Sequence, residues 1–295
     1  MRAASGYTAG LCWVASISDY GESERMNCLL CGSTEFQAHD ARSALCLRCG
    51  LLMNLQTREL DYSEGGGQRV PDAGKMKWRM ENARRRFRII RRFLDGHELF
   101  IDIGCGSGEM LEVSRAYFPN HLGFDTNTAL IRHIVQERHL NAIESRFDYA
   151  LVDERQRSMK KVIALSHVLE HLDRPLDTLQ QIYDAMQPGD LLYIEVPLHT
   201  GESFRKLGYG WNLWNEEHLA LYSMDALRFI ARRLGFETLH EGTRIFARGS
   251  KSGKTRLKLF LGSPLKFVAT AIGKNPDHSM ADIMIADYGC IVLRK

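Results

Sequence analysis

The 295-residue chain has no apolar run near the ~18 residues that suggest a membrane span. Neither charge sign dominates: the formal net charge is +3, too small by itself to argue for a nucleic-acid partner. No internal repeat stands out. A secretory leader is not evident in residues 1–25, which carry one early Arg and a broken apolar patch at 11–15 with no fitting cleavage site. That segment reads as a disordered tail, or as sequence upstream of a start at Met26, and the cytoplasm is the default compartment. With 44% hydrophobic and 25% charged positions, the rest is ordinary globular sequence with room for one large domain and one small one.

Cysteine is present, but its spacing argues against a disulfide framework. Cys28-x-x-Cys31 and Cys46-x-x-Cys49 stand 14 residues apart, with Gly32 and Gly50 following the two pairs. Two knuckles at this spacing bring four thiolates into a tetrahedron, the pattern of a four-cysteine zinc ribbon. Such a site is closed, so its expected role is structural: it folds ~30 residues that cannot build a core alone. Cys12, Cys105 and Cys290 read as unpaired thiols of a reducing compartment.

The ribbon is assigned to 26–58, a Gly-rich linker to 59–77 and one large domain to 78–295. A helix is predicted over 78–94, with Phe87, Ile90, Phe93 and Leu94 on its apolar stripe. Its other face carries Arg84, Arg85, Arg86, Arg88, Arg91 and Arg92, which read as a solvated face or, alternatively, as a surface for phosphates. From residue 99 onward, strands and helices alternate as in a doubly wound, mostly parallel α/β sheet. Strands are predicted near 99–103, 121–125, 141–145, 161–166, 191–196, 236–239 and 288–293. Helices are predicted near 107–117, 127–139, 175–187 and 224–234. Residues 200–217 read as a lid loop and 250–280 as a helical insertion.

The first predicted strand of the large domain ends in Asp102 and then Gly104-x-Gly106-x-Gly108. A buried strand that turns sharply into a helix needs residues without side chains, which also lets a ligand reach backbone N–H groups. Glu109 stands where a dinucleotide fingerprint has its third glycine, which disfavours a pyrophosphate cofactor. Asp125 closes the next strand, where a carboxylate can take two ribose hydroxyls or cap a helix.

This pattern resembles the first motif of class I S-adenosylmethionine-dependent methyltransferases. The likeness continues in Ser166-His167-Val-Leu-Glu170-His171-Leu-Asp-Arg-Pro175, in Gln187-Pro-Gly-Asp190 and in Glu217-His218-Leu219, spanning about 26–240. Members of polysaccharide and quinone pathways carry a similar His-x-x-Glu-His-Leu run, and similar ribbon-plus-methyltransferase chains occur in bacterial surface-polysaccharide and natural-product pathways. The resemblance implies that Asp102 organises the methionine amino group while Gly104, Gly106 and Gly108 let the cofactor approach and Asp125 takes the ribose. Cys105, Thr126 and Ser166 belong to the same loops, and Asp148 is the candidate for the adenine.

His167, His171, His218 and Glu170 are the candidate catalytic residues. A neutral imidazole beside the methyl donor can take the proton of an acceptor hydroxyl, and alignment does most of the remaining work. A structural role for His171 and a divalent metal at Glu170, His171 and His218 are the other readings. An inverted zinc-protease motif has the same letters but belongs on a helix, whereas here the run leaves a strand. The implied reaction is methyl transfer to a hydroxyl, or less readily a carbon, of a small-molecule or sugar-containing acceptor. Two further readings are an RNA methyltransferase gripping its substrate with the ribbon and arginine helix, and a non-catalytic zinc-ribbon binding protein.

Overall fold

The computed structural model describes residues 26–56, 69–244 and 287–295. The tail at 1–25, the linker segment 57–68 and the expected insertion at 250–280 lie outside the described residues. The ribbon folds as β1 (Phe36–Asp40), β2 (Ser43–Cys46) and β3 (Leu52–Asn54), three antiparallel strands around the cysteine knuckles.

Helix α1 (Ala73–Ile90) starts before the expected position because Asp72 caps it, accepting from Lys75 N at 2.8 Å. Phe87 and Ile90 are buried as the stripe predicts, but so is Arg86. Arg85 and Arg88 both pair with Glu81, whose single charge offsets one arginine of the basic face within the helix itself. Strand β4 (Leu99–Ile103) is buried at every position, as a central parallel strand must be.

Helix α2 (Glu109–Ser114), strand β5 (Asn120–Asp125), helix α3 (Thr128–Arg132) and strand β6 (Ala142–Glu144) follow. Next come α4 (Glu154–Arg157), β7 (Lys161–Ser166), α5 (Pro175–Ala185) and β8 (Leu191–Pro197). Pro175 at the first turn of α5 supplies the fixed φ that starts a helix. The Pro-Gly-Asp turn before β8 does more than turn the chain. Asp190 and Lys161 are both fully buried and pair at 2.9 Å.

The chain ends with α6 (Glu202–Leu207), β9 (Ala220–Leu221), α7 (Met224–Leu234), β10 (Glu237–Arg244) and β11 (Tyr288–Arg294). Ser223 caps α7 at its start, and Gly235, at φ 80°, ends it. The seven-stranded sheet has the order β10-β11-β8-β7-β4-β5-β6, parallel except for β11. Strand order reverses at β4, which has β5 on one side and β7 on the other. Ligands of such sheets bind at the carboxyl ends beside that reversal.

The ribbon does not stand apart from this sheet. β3 pairs antiparallel with β9, Leu52 opposite Leu221 and Met53 opposite Ala220, completing a four-stranded sheet. Cys28, Leu30, Leu51 and Met53 share one core with Leu169, Tyr222 and Ala226. Within 200–217, α6 forms and Trp211 and Trp214 are buried, packed with Phe204 against Leu52 and Leu221. These tryptophans serve packing between ribbon and sheet. No helix of the described residues is long and apolar enough to cross a membrane.

Candidate active site

The glycine bend leaves β4 with Gly104, Gly106 and Gly108 at φ of 69°, 55° and 82°, where a side chain is strained. Gly104 is constrained twice over, because a Cβ there would lie 2.5 Å from Val168 Cγ2. Amides of Gly104 and Cys105 both donate to Phe124 O, tying the bend to β5. Asp125 reaches back over the bend and accepts from Gly106 N at 2.8 Å and from Asn127 N at 2.9 Å. The cap of α3 is Asn127, accepting from Leu130 N, so Asp125 is not committed to that task.

Burial pushes Asp125 above the usual carboxylate range, while the amides of Asn127, Gly106 and Thr126 pull the other way. Asp102 is buried at the end of β4. Burial raises its carboxyl well above normal, Arg86 opposes this, and Glu109 and Asp125 add to it. A buried acid in this position gains by meeting a cationic group. Ser166 closes β7 with its buried Oγ lacking a hydrogen-bond partner. Asp148 caps the short turn Tyr149–Leu151 through Ala150 N. With Phe147, Tyr149, Gln181 and Asp184 it lines an open cleft of about 620 Å³.

Beyond β7 the chain turns at His167, a non-glycine residue with φ of 60°. The conformation is held by its surroundings: His167 N donates to Glu195 O, and the ring lies between two buried carboxylates. Nδ1 is 3.2 Å from Glu170 Oε1 and Nε2 is 3.5 Å from Glu195 Oε1. Burial disfavours the imidazolium, but Glu170 and Glu195 outweigh it and raise the His167 pKa. Burial likewise opposes charge on Glu170, yet His167 holds its pKa below normal. Carboxylates this buried need such partners.

The other two histidines are different. His171 and His218 meet edge to face at 4.6 Å between ring centroids. His171 Nδ1 is 3.0 Å from Glu217 O, and because a carbonyl only accepts, Nδ1 is the donor of that bond and Nε2 is the ring atom left for another partner. Burial lowers His218 to about 4 despite Glu170, so its ring is neutral. Ligand atoms of Glu170, His171 and His218 all lie within 4.8 Å of one another. Glu170 Oε2 and His218 Nδ1 are buried with no hydrogen-bond partner.

Sequence reasoning missed Glu195 and Arg86. Glu195 on β8 accepts from Arg86 Nε at 2.8 Å and Tyr193 OH at 2.8 Å, with Arg244 Nε at 3.2 Å. Burial would raise its carboxyl, but Arg244, Arg86 and His167 hold it well below the usual range. The available signal was an acid inside an otherwise apolar strand.

The four ribbon cysteines converge as expected, with all four sulfurs within 4.8 Å. Cys28 Sγ is 3.5 Å from Cys49 Sγ, and Cys31 Sγ is 3.5 Å from Cys46 Sγ. A Zn–S bond of about 2.3 Å implies a tetrahedral S–S edge of about 3.8 Å, which these spacings match. Hydrogen bonding from Cys49 pulls Cys28 down to about 5, whereas burial pushes Cys31 up to about 11. The bond to Cys28 raises Cys49 further still. One sulfur carries charge at the expense of the others, and a cation is what lets all of them ionise. The cluster is compatible with zinc.

A doubly wound sheet with a glycine bend after its first strand and an acid closing the second defines a nucleoside-cofactor fold. The family described as "Methyltransferase domain" matches residues 76–241, over half of the chain, and the chain belongs to it. It is a class I S-adenosylmethionine-dependent methyltransferase with a four-cysteine cluster near its N-terminus.

Solved structures show the same fold at low identity. A SAM-dependent methyltransferase from Archaeoglobus fulgidus is 20% identical with a TM-score of 0.51, covering 75% of this chain and 98% of its own. A methyltransferase from Haloferax volcanii, solved with the Trm112 activator, is 14% identical with a TM-score of 0.51, covering 77% and 99%. No curated protein matches the chain in sequence.

Proposed function

We propose that this methyltransferase acts on a hydroxyl group of a small-molecule or sugar-containing acceptor. One observation carries the reading. The bend with its Asp125 cover and the His171–His218–Glu170 cluster occupy the carboxyl ends of adjacent strands β4 and β7, on either side of the reversal in strand order. A donor held by the first would lie beside the second.

When bound, the donor supplies an electrophilic methyl on a sulfonium that departs as a neutral thioether. Asp102 would hold the methionine ammonium, Gly104 through Gly108 with Cys105 would admit the cofactor to the backbone, and Asp125 with Thr126 would take the ribose hydroxyls. Asp148 and Ser166 frame the adenine and the methionine sides. His171 Nε2, its lone pair directed by the bond from Nδ1 to Glu217 O, receives the acceptor's hydroxyl proton. His167, set between Glu170 and Glu195, which raise its pKa, positions this loop.

Four thiolates at Cys28, Cys31, Cys46 and Cys49 would hold a structural zinc ion, which would supply folding energy to the ribbon. Thiolate ligands and the buried free thiols of Cys105 and Cys290 suit a reducing compartment, and we place the reaction in the cytoplasm.

A second reading rests on Glu170 Oε2 and His218 Nδ1, buried without partners. With His171 they form an acid–His–His set suited to a divalent cation. His171 is then a ligand and not a base. A donor-labelled transfer screen across sugar nucleotides, phenols and RNA tests the main reading. Transfer to the first two classes is expected, and labelling of RNA alone would overturn it. Once an acceptor is found, His171→Gln is expected to keep donor affinity and slow turnover by about 10²-fold or more. Restoration of activity by added Mg²⁺ or Mn²⁺ after chelation would favour the second reading.

A further inference from the structure

We infer that Asn54, in the cysteine ribbon, is a positioning residue for His218 and thus that the ribbon forms one wall of the transfer site. The inference rests on the proposed role of the His171–His218–Glu170 cluster. Asn54 ends β3, and its Nδ2 donates both to His218 O at 3.0 Å and to Asn215 O at 3.1 Å. Asn54 N donates to Leu219 O at 2.9 Å. Leu219 N in turn donates to Glu170 O at 2.8 Å. The peptide units on either side of Leu219 are therefore held from opposite directions, by the ribbon and by the loop after β7. The His218 ring is carried by the residue whose carbonyl this clamp holds.

The same segment is tied at both ends. His171 Nδ1 donates to Glu217 O, and Tyr222 OH donates to Leu169 O at 3.2 Å. Just past the second cysteine knuckle, Gly50 O accepts from Ser223 Oγ and from His199 Nε2, both at 3.0 Å. Gly50 has φ of 75°, and a Cβ there would lie 2.8 Å from Ser223 Oγ. Gly50 and Asn54, on either side of the start of β3, make these hydrogen bonds between the ribbon and the segment. A side-chain amide is required at 54, because two carbonyls converge on it and a carboxylate would repel both. The ribbon is a part of the machinery that sets the acceptor side, and it leaves the donor bend to the sheet.

The test uses the full, metal-loaded chain and its Asn54→Asp and Asn54→Ala variants. Hydrogen–deuterium exchange over 215–221, histidine ring NMR and S-adenosylhomocysteine titration are measured on each. Losing two directed hydrogen bonds should speed exchange in 215–221 by about tenfold. The His218 ring resonances should shift while those of His97 and His121, at the amino ends of β4 and β5, stay in place. S-adenosylhomocysteine affinity should remain within about twofold, since no donor contact is touched. Unchanged exchange and an unmoved His218 signal in both variants overturn the clamp. Equal loosening of β4 and shifts of all three histidines overturn it as well, because they denote global destabilisation. His218→Asn is run in the donor-labelled transfer screen beside them. Full transfer by that variant removes the catalytic reading, a result separate from any failure of the clamp.

Discussion

Arg86 and Glu195, 109 residues apart in sequence, meet inside the protein with Nη2 and Oε1 2.7 Å apart. Their side chains are 10% and 1% exposed, so this is a buried pair, and breaking it leaves a carboxylate short of its partner. The pair joins α1 to β8 directly beside His167. Arg86→Met is predicted to cost about 3 kcal/mol of stability in urea unfolding, because Glu195 keeps only Arg244, Tyr193 and His167. A loss below about 1 kcal/mol would show that these remaining partners suffice.

The donor crevice gives a prediction that separates binding from packing. Asp125→Ala and Gly106→Val should each weaken S-adenosylhomocysteine binding by about 100-fold in calorimetry while the fold persists. Gly104→Ala should instead lower stability, by about 1–3 kcal/mol, since its new methyl meets Val168. Val168→Ala should recover part of that loss. If the double variant is no more stable than Gly104→Ala alone, the contact with Val168 is not the cause.

Stability should fall as pH drops below neutrality, with His218 a named contributor. Its pKa is about 4 in the folded protein against 6.5 for an ordinary histidine, with burial the main cause. The unfolded chain therefore binds the proton more readily, and the stabilisation is complete above 6.5. It is lost progressively as pH falls from there toward 4, by up to about 3 kcal/mol. His167 has the opposite sign, because its pKa is raised and its stabilisation fades at higher pH. Melting curves from pH 7.5 to 4.5, recorded on apoprotein and on His218→Asn, check this. An equally steep acid limb in the variant would remove His218 from the account.

Native mass spectrometry should show one zinc ion per chain, lost when Cys28 and Cys31 are both replaced by Ser. Since Cys28 and Cys49 sit in the core shared with Tyr222 and Ala226, that double variant should also melt lower than wild type. Retention of the metal would refute the four-thiolate assignment.

Much of this was readable from residue order. The run from Leu99 to Ile103 announced a buried parallel strand, Ser223 and Gly235 bracketed α7, and two Cys-x-x-Cys knuckles announced their cluster. Asp102, the glycine bend and Asp125 were legible because turn chemistry and strand ends are local. The arginines of α1 were less so. Helical spacing places six of them on a basic face, and nothing local says that Arg86 turns inward to Glu195. Glu195 itself, an acid in an apolar strand, was the clue on the other side. Trp211 and Trp214 lie in a segment with the composition of a lid, and no local pattern says that they pack on Leu52 and Leu221.

Sequence alone determined the alternation of strands and helices, the sulfur cluster and the glycine-acid crevice, because each depends on the backbone and on neighbours a few residues away. Tertiary structure decided which charges are buried, which histidine has its pKa raised and which lowered, and that β3 pairs with β9. Those outcomes depend on solvent exclusion and on partners that meet only when distant segments pack. Asn54 and His218, 164 residues apart, are joined by one hydrogen bond that no local pattern encodes.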